Sequence, residues 1–176
     1  MTSSTMLGAV LVLATSMTLG ARAVPGLAGE PTWEEHVRAM DFAIAAGDAL
    51  QAQHELQRAY VVATGSRRWE ALLAVGDASR RCAQVPGAQA RAVQWARRSY
   101  LAAMFRARDA RALDGIAAAV EGFAALGDHD IVVQGLRMAD GVARRHGNAN
   151  DIARVHALAE RLAERSLVSG ELRLDP

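Results

Sequence analysis

Gly47, Gly87 and Gly127 stand at equal intervals of 40 residues, and each opens a helical segment. Even spacing of this kind marks stacked repeats, in which one supersecondary unit recurs along the chain. Laid over one another, the three segments put Ala52, Ala92 and Val132 in one column. Leu56, Ala96 and Leu136 form the next, followed by Ala59, Ser99 and Ala139, then by Ala63, Ala103 and Ala143. Tyr60 overlies Tyr100, with Asp140 in the third segment. Offsets of four, three and four trace one buried helical stripe. A single hairpin cannot bury that stripe alone, so neighbouring units must stack.

The pattern divides into seven helices of an antiparallel, up-and-down chain. The first runs from Pro31-Thr32 to about 46, with Trp33, Val37, Met40 and Ile44 at helical spacing. Asp48 is the expected N-cap of a second helix to about 63. A third covers about 67–83 with Trp69, Leu72, Leu73 and Gly76, the last at a close helix contact. A fourth spans about 88–107, and a fifth about 109–126 with Leu113, Ile116, Val120 and Phe123 or Ala124 facing inward. Gly127-Asp128 starts the sixth, which ends at Gly147-Asn148. The seventh, about 149–167, has the stripe Ile152, Val155, Ala159, Leu162 and Ser166. Its opposite face holds Arg154, Glu160, Arg161, Glu164 and Arg165, a solvated surface suited to i,i+4 pairs. Residues 168–176 read as a flexible tail. A closed bundle would share these stripes without the 40-residue period.

Met6 to Gly20 is apolar or small without a charge, and Ala21-Arg22-Ala23 follows. That pattern predicts a signal peptide over 1–23, cleaved after Ala23, and an exported chain, periplasmic or secreted. Residues 1–5 lack the usual Arg or Lys, and the run is short for a membrane span of about 20 residues. An uncleaved anchor and an ordinary buried helix are the alternatives. Residues 24–31 form a Pro/Gly linker, and 32–167 one helical-repeat domain. After cleavage no stable membrane insertion is expected. Cys82 is the single cysteine, so no intramolecular disulfide is available. It is expected to act as a small packing residue.

Several features resemble tetratricopeptide-type repeats in a longer-helix variant. Leu72 follows Trp69 at three residues, Gly47-Asp48 and Gly127-Asp128 occupy turns between paired helices, and Phe123 follows Ala119 at four. The period exceeds the family's usual 34 or so residues. Leu73 stands where the family has Gly, and Gly76 where Tyr is common. The resemblance covers about 32–167 and implies a right-handed solenoid of helical hairpins that serves as a protein–protein interaction module.

Catalytic motifs are missing. The sequence has no Gly-x-Ser-x-Gly, no Gly-x4-Gly-Lys loop and no His-Glu-x-x-His. Five histidines are present: His36, His54, His129, His146 and His156. Asp128-His129-Asp130 is a conceivable ligand cluster, but Asp128 or Asp130 is expected to cap the sixth helix instead. The pairs His36/Met40 and His156/Glu160 supply at most two ligands each. No nucleophile, base and orienting group can be assembled, so neither an enzyme nor a metal or other cofactor is expected.

All 20 basic residues are arginine. Arg80, Arg81, Arg91, Arg97, Arg98, Arg106, Arg108 and Arg111 stand in a stretch where Asp109 is the single acid. The first repeat is acidic instead, with Glu30, Glu34, Glu35, Asp41, Asp48 and Glu55 against Arg38. Such asymmetry steers an acidic partner toward the centre. Arg80, Arg81, Arg91, Arg97, Arg98 and Arg111 are therefore the candidate partner-binding residues. The competing role is a solvated face that pairs with acids on adjacent helices. Trp95 and Tyr100 interleave with these arginines, but Tyr100 falls on a repeated core column and the net charge is only +1. Nucleic acid is therefore not an expected partner. An exported, non-catalytic scaffold for a protein or peptide leads. A self-assembling structural repeat protein is the alternative, followed by a metal-binding or enzymatic bundle.

Overall fold

The computed structural model describes residues 31–171; the expected signal peptide, residues 24–30 of the linker and residues 172–176 lie outside the described residues. Seven helices and no strand occur among the described residues: α1 (Trp33–Ala45), α2 (Ala49–Gly65), α3 (Trp69–Cys82), α4 (Gln89–Asp109), α5 (Leu113–Ala125), α6 (His129–His146) and α7 (Ala149–Glu171). None of them is long and apolar enough to cross a membrane. The class is all-α.

Local chemistry sets the helix ends. Thr32 caps α1 in a reciprocal box: its hydroxyl accepts from the Glu35 amide at 3.3 Å, and the Glu35 carboxylate accepts from the Thr32 amide at 2.7 Å. Asp48 caps α2 as expected, accepting from the Gln51 amide at 2.9 Å. Gly47, Gly87 and Gly127 all have positive φ (74°, 82° and 77°). At Gly47 and Gly127 the next amide reaches back five residues, Asp48 to the Ala43 carbonyl and Asp128 to that of Phe123. This left-handed closure satisfies carbonyls at the helix end, and glycine adopts it without a Cβ penalty.

The end of α4 closes in the same way without a glycine. Arg111 has φ 55°, and the Ala112 amide bonds the Ala107 carbonyl at 2.7 Å. Consequently α4 runs to Asp109 and α5 begins at Leu113, not near Asp109 as the sequence suggested. At its C-terminus α7 continues to Glu171, past the expected end at 167.

Each helix packs on the next along the chain. In addition α1 packs on α3, α3 on α5, α5 on α7, and α4 on α6. The repeated columns are the buried ones: Ala52, Ala92, Leu56, Ala96, Ala59, Ser99, Ala139, Ala63, Ala103 and Ala143 are fully buried, and Val132 nearly so. Leu136 is half-buried, as are Tyr60 and Asp140 in the column of the buried Tyr100. Phe123, not Ala124, faces inward on α5, while on α7 Leu158 joins Val155 and Leu162 in the core. Cys82 is fully buried, and burial pushes its thiol pKa up.

Glycine makes the centre thin enough to admit one ring. A Cβ on Gly76 of α3 would meet the Tyr100 ring at 2.5 Å, and one on Gly122 of α5 would meet it at 2.6 Å. Tyr100 on α4 is fully buried between them and meets Phe123 edge-on at 5.9 Å. Its hydroxyl donates to the Asp77 carboxylate at 2.6 Å. Burial first, then that carboxylate, raises the phenol pKa far above its ordinary value.

Candidate docking surface

Four of the six arginines singled out from sequence are bound up in local structure. Arg81 grips Asp41 of α1 with two N–H donors, at 3.0 and 2.9 Å. Arg97 grips Asp128 in the same bidentate way, both bonds at 2.7 Å. Arg80 pairs with Asp77 at 3.9 Å, and Arg111 is the left-handed residue of the α4–α5 turn. Arg91 and Arg98 remain exposed on α4 without an acidic partner among the described residues. The six arginines are spread over α3, α4 and a turn.

Asp128 shows why a cap was expected there and not found. It occupies the N-cap position of α6, yet its side chain makes no cap bond. Two charge-assisted bonds from a planar guanidinium outcompete one backbone amide for the same carboxylate.

Pairing across helices also follows the period. Asp41 and Arg81 are 40 residues apart, as are Asp114 with Arg154 and Glu121 with Arg161. Asp41, Arg81, Glu121 and Arg161 thus form one column of alternating sign at steps of 40. Arg154 and Arg161 therefore reach from α7 to α5; the expected i,i+4 ion pairs of that face are not formed among the described residues, and Arg154 instead meets Asp151 three residues before it, at 3.4 Å.

What α4 turns outward is a second stripe that the repeat columns concealed. Arg91, Gln94, Arg98, Leu101, Phe105 and Arg108 alternate in steps of three and four, and all are exposed. Leu101 is 39% and Phe105 41% accessible. Arg108 lies over the Phe105 ring at 5.0 Å, and Arg98 over Trp95 at 5.5 Å. Trp95 in turn packs on Tyr60 of α2, ring centroids 4.8 Å apart. Asp109, 2.8 Å from Arg108, is the acid at the end of this stripe. Basic heads flanking two open apolar side chains can engage a partner that presents carboxylates around apolar residues. The stripe was legible as a three-four alternation opposite the small-residue column.

The histidines are dispersed. His36 is buried with Nδ1 2.7 Å from the Glu55 carboxylate, which also accepts from Gln51 Nε2 at 2.9 Å. This α1–α2 contact was missed, because residues 19 apart carry no periodic signal. His146 Nδ1 lies 2.9 Å from Asp151, and that contact, with Arg154 beside it, lowers the Asp151 pKa. His54, His129 and His156 are exposed. Among the described residues, no group of three or more His, Cys, Asp or Glu side chains is placed to hold a metal ion.

Comparison with protein-family models, curated proteins and solved structures gives no match to this chain.

Proposed function

We propose that this protein is an exported, non-catalytic scaffold of tetratricopeptide-like helical hairpins that docks an acidic protein or peptide on the outward face of α4. The observation that carries the reading is the stripe Arg91, Gln94, Arg98, Leu101, Phe105 and Arg108. Core demands do not account for it. Its apolar members face solvent, and two of its arginines have no acid to neutralise them. Exposed aromatic and arginine side chains are the residues from which binding hot spots are built.

The solenoid arrangement is supported by the serial contacts α1–α3, α3–α5 and α5–α7 and by ion pairs at 40-residue separation. Both follow if each hairpin repeats the position of the one before. Export rests on the apolar run Met6–Gly20 followed by Ala21-Arg22-Ala23.

The test is affinity capture from the native cell-envelope fraction, comparing the parent chain with an Arg91→Glu/Arg98→Glu variant and with Phe105→Ser. A captured protein lost in both variants, and released by salt, with circular dichroism unchanged, is the expected result. Arg97→Gln serves as a control, because Arg97 is committed to Asp128 and its loss should leave capture in place. Equal capture by parent and variants would sink the proposal.

A further inference from the structure

The period that sets the core also recurs in a solvent-facing column. At a step of 40 residues Arg58 and Val61 of α2 correspond to Arg98 and Leu101 of α4, and all four are exposed. On α6 the same places hold Met138 and Gly141, both partly buried. Core packing does not account for Val61, which is 63% accessible. Nor do α2 and α4 pack closely on each other, as α4 does on α6. They meet through side chains: Tyr60 on Trp95, Gln53 Nε2 on the Gly87 carbonyl at 3.5 Å, and an Arg106 N–H on the Thr64 carbonyl at 2.9 Å. The two half-buried rings thus floor a seam between the helices.

We infer that this seam receives an acidic amphipathic helix of a partner protein, lying along α2 and α4 together. The inference rests on the reading of α4 as a docking face, and adds to it α2 and the form of the partner. Charge selects an acidic occupant. The acids of α2 and α4 are Glu55 and Asp109. Glu55 is buried against His36 and Gln51, and Asp109 meets Arg108. Arg97 is held by Asp128 and Arg106 by the Thr64 carbonyl. Arg91 and Arg98 have no acid among the described residues, and Arg58 comes only within 3.9 Å of the already engaged Glu55. The backbone selects a helical occupant. Both helices satisfy their N–H and C=O groups internally, so the face offers an extended peptide no ladder, whereas a helix arrives with its own backbone bonds made. Leu101 and Phe105, one turn apart, match apolar side chains at the i,i+4 spacing of such a helix.

Fluorescence anisotropy on the full chain tests the inference, using labelled peptides of about 14 residues, close to four helical turns. The first has leucine at every third and fourth position with glutamate between. The second differs by a central proline, which breaks the helix, and the third has lysine for glutamate. Binding of the first alone is the expected result. Val61→Asp and Leu101→Asp should each weaken it about tenfold or more, with circular dichroism unchanged. A loss in Leu101→Asp but not in Val61→Asp overturns the inference and leaves the α4 reading standing. Indifference to both variants and to Arg91→Glu/Arg98→Glu overturns the two together. Equal binding of the proline peptide overturns the helical occupant. A single-stranded oligonucleotide of equal charge that binds as tightly as the acidic peptide, or a parent that binds none of the peptides, overturns the inference as well.

Discussion

Two pairs of neighbouring odd helices are joined by different means. Between α3 and α5 the Tyr100 ring is held without solvent access between Gly76 and Gly122, and Trp69 packs directly on Gly115. Between α5 and α7 a smaller apolar seam of Val155, Leu158 and Leu162 is supplemented at the surface, by Arg154 on Asp114 and Arg161 on Glu121. The first link is chiefly dispersion and excluded volume, tied at its rim by the Tyr100 hydroxyl on Asp77, so it is set by shape and depends little on salt. The second is exposed charge, which water and ions weaken. Neighbours at the same period are thus held by buried rings at the centre and partly by surface charge at the end.

The largest expected effect breaks the centre. Tyr100→Ala should cost about 3–5 kcal/mol, because the two glycines cannot fill the cavity left by the ring. Urea denaturation of parent and variant measures it, and a loss below roughly 1 kcal/mol would show that the helices collapse into the gap.

Next in size is a contrast between glycines. Gly76→Leu should destabilise by about 1–3 kcal/mol, since the new side chain must displace the buried ring. By contrast, a Cβ on Gly141 of α6 meets only Arg145, at 3.7 Å. Gly141→Ala should therefore stabilise by about 0.5–1 kcal/mol through helix propensity alone. Thermal melts of the two variants should move in opposite directions; a shared direction would mean that packing does not distinguish the two sites.

The smallest effect probes the end. Asp114→Asn with Glu121→Gln should cost no more than about 1 kcal/mol per pair, and the difference from the parent should vanish at high ionic strength. A salt-independent loss would show that these carboxylates act through packing.

Much of the architecture was readable because helical periodicity is a local property. The offsets of four, three and four identified the buried columns, and Gly47, Gly87 and Gly127 identified three of the left-handed turns. The left-handed residues Arg67 and Arg111 were not readable, since both have positive φ with a residue type that ordinarily avoids it. Of the six candidate arginines, Arg91 and Arg98 stay exposed without an acid among the described residues, while Arg81 and Arg97 are paired with Asp41 and Asp128. Which arginine meets which acid depends on helices brought together from 40 and 31 residues away, and no count of local charge contains that.

The sequence by itself determined an all-helical chain with a 40-residue period and small-residue stripes, because turn chemistry and amphipathic spacing act within a few residues. It also determined that Tyr100 belongs to the core. Only the tertiary structure decided that Gly76 and Gly122 enclose that ring, that His36 meets Glu55, and that Arg154 and Arg161 reach Asp114 and Glu121. Those outcomes depend on the distances between helices, which are set by the volumes of side chains far apart in the chain.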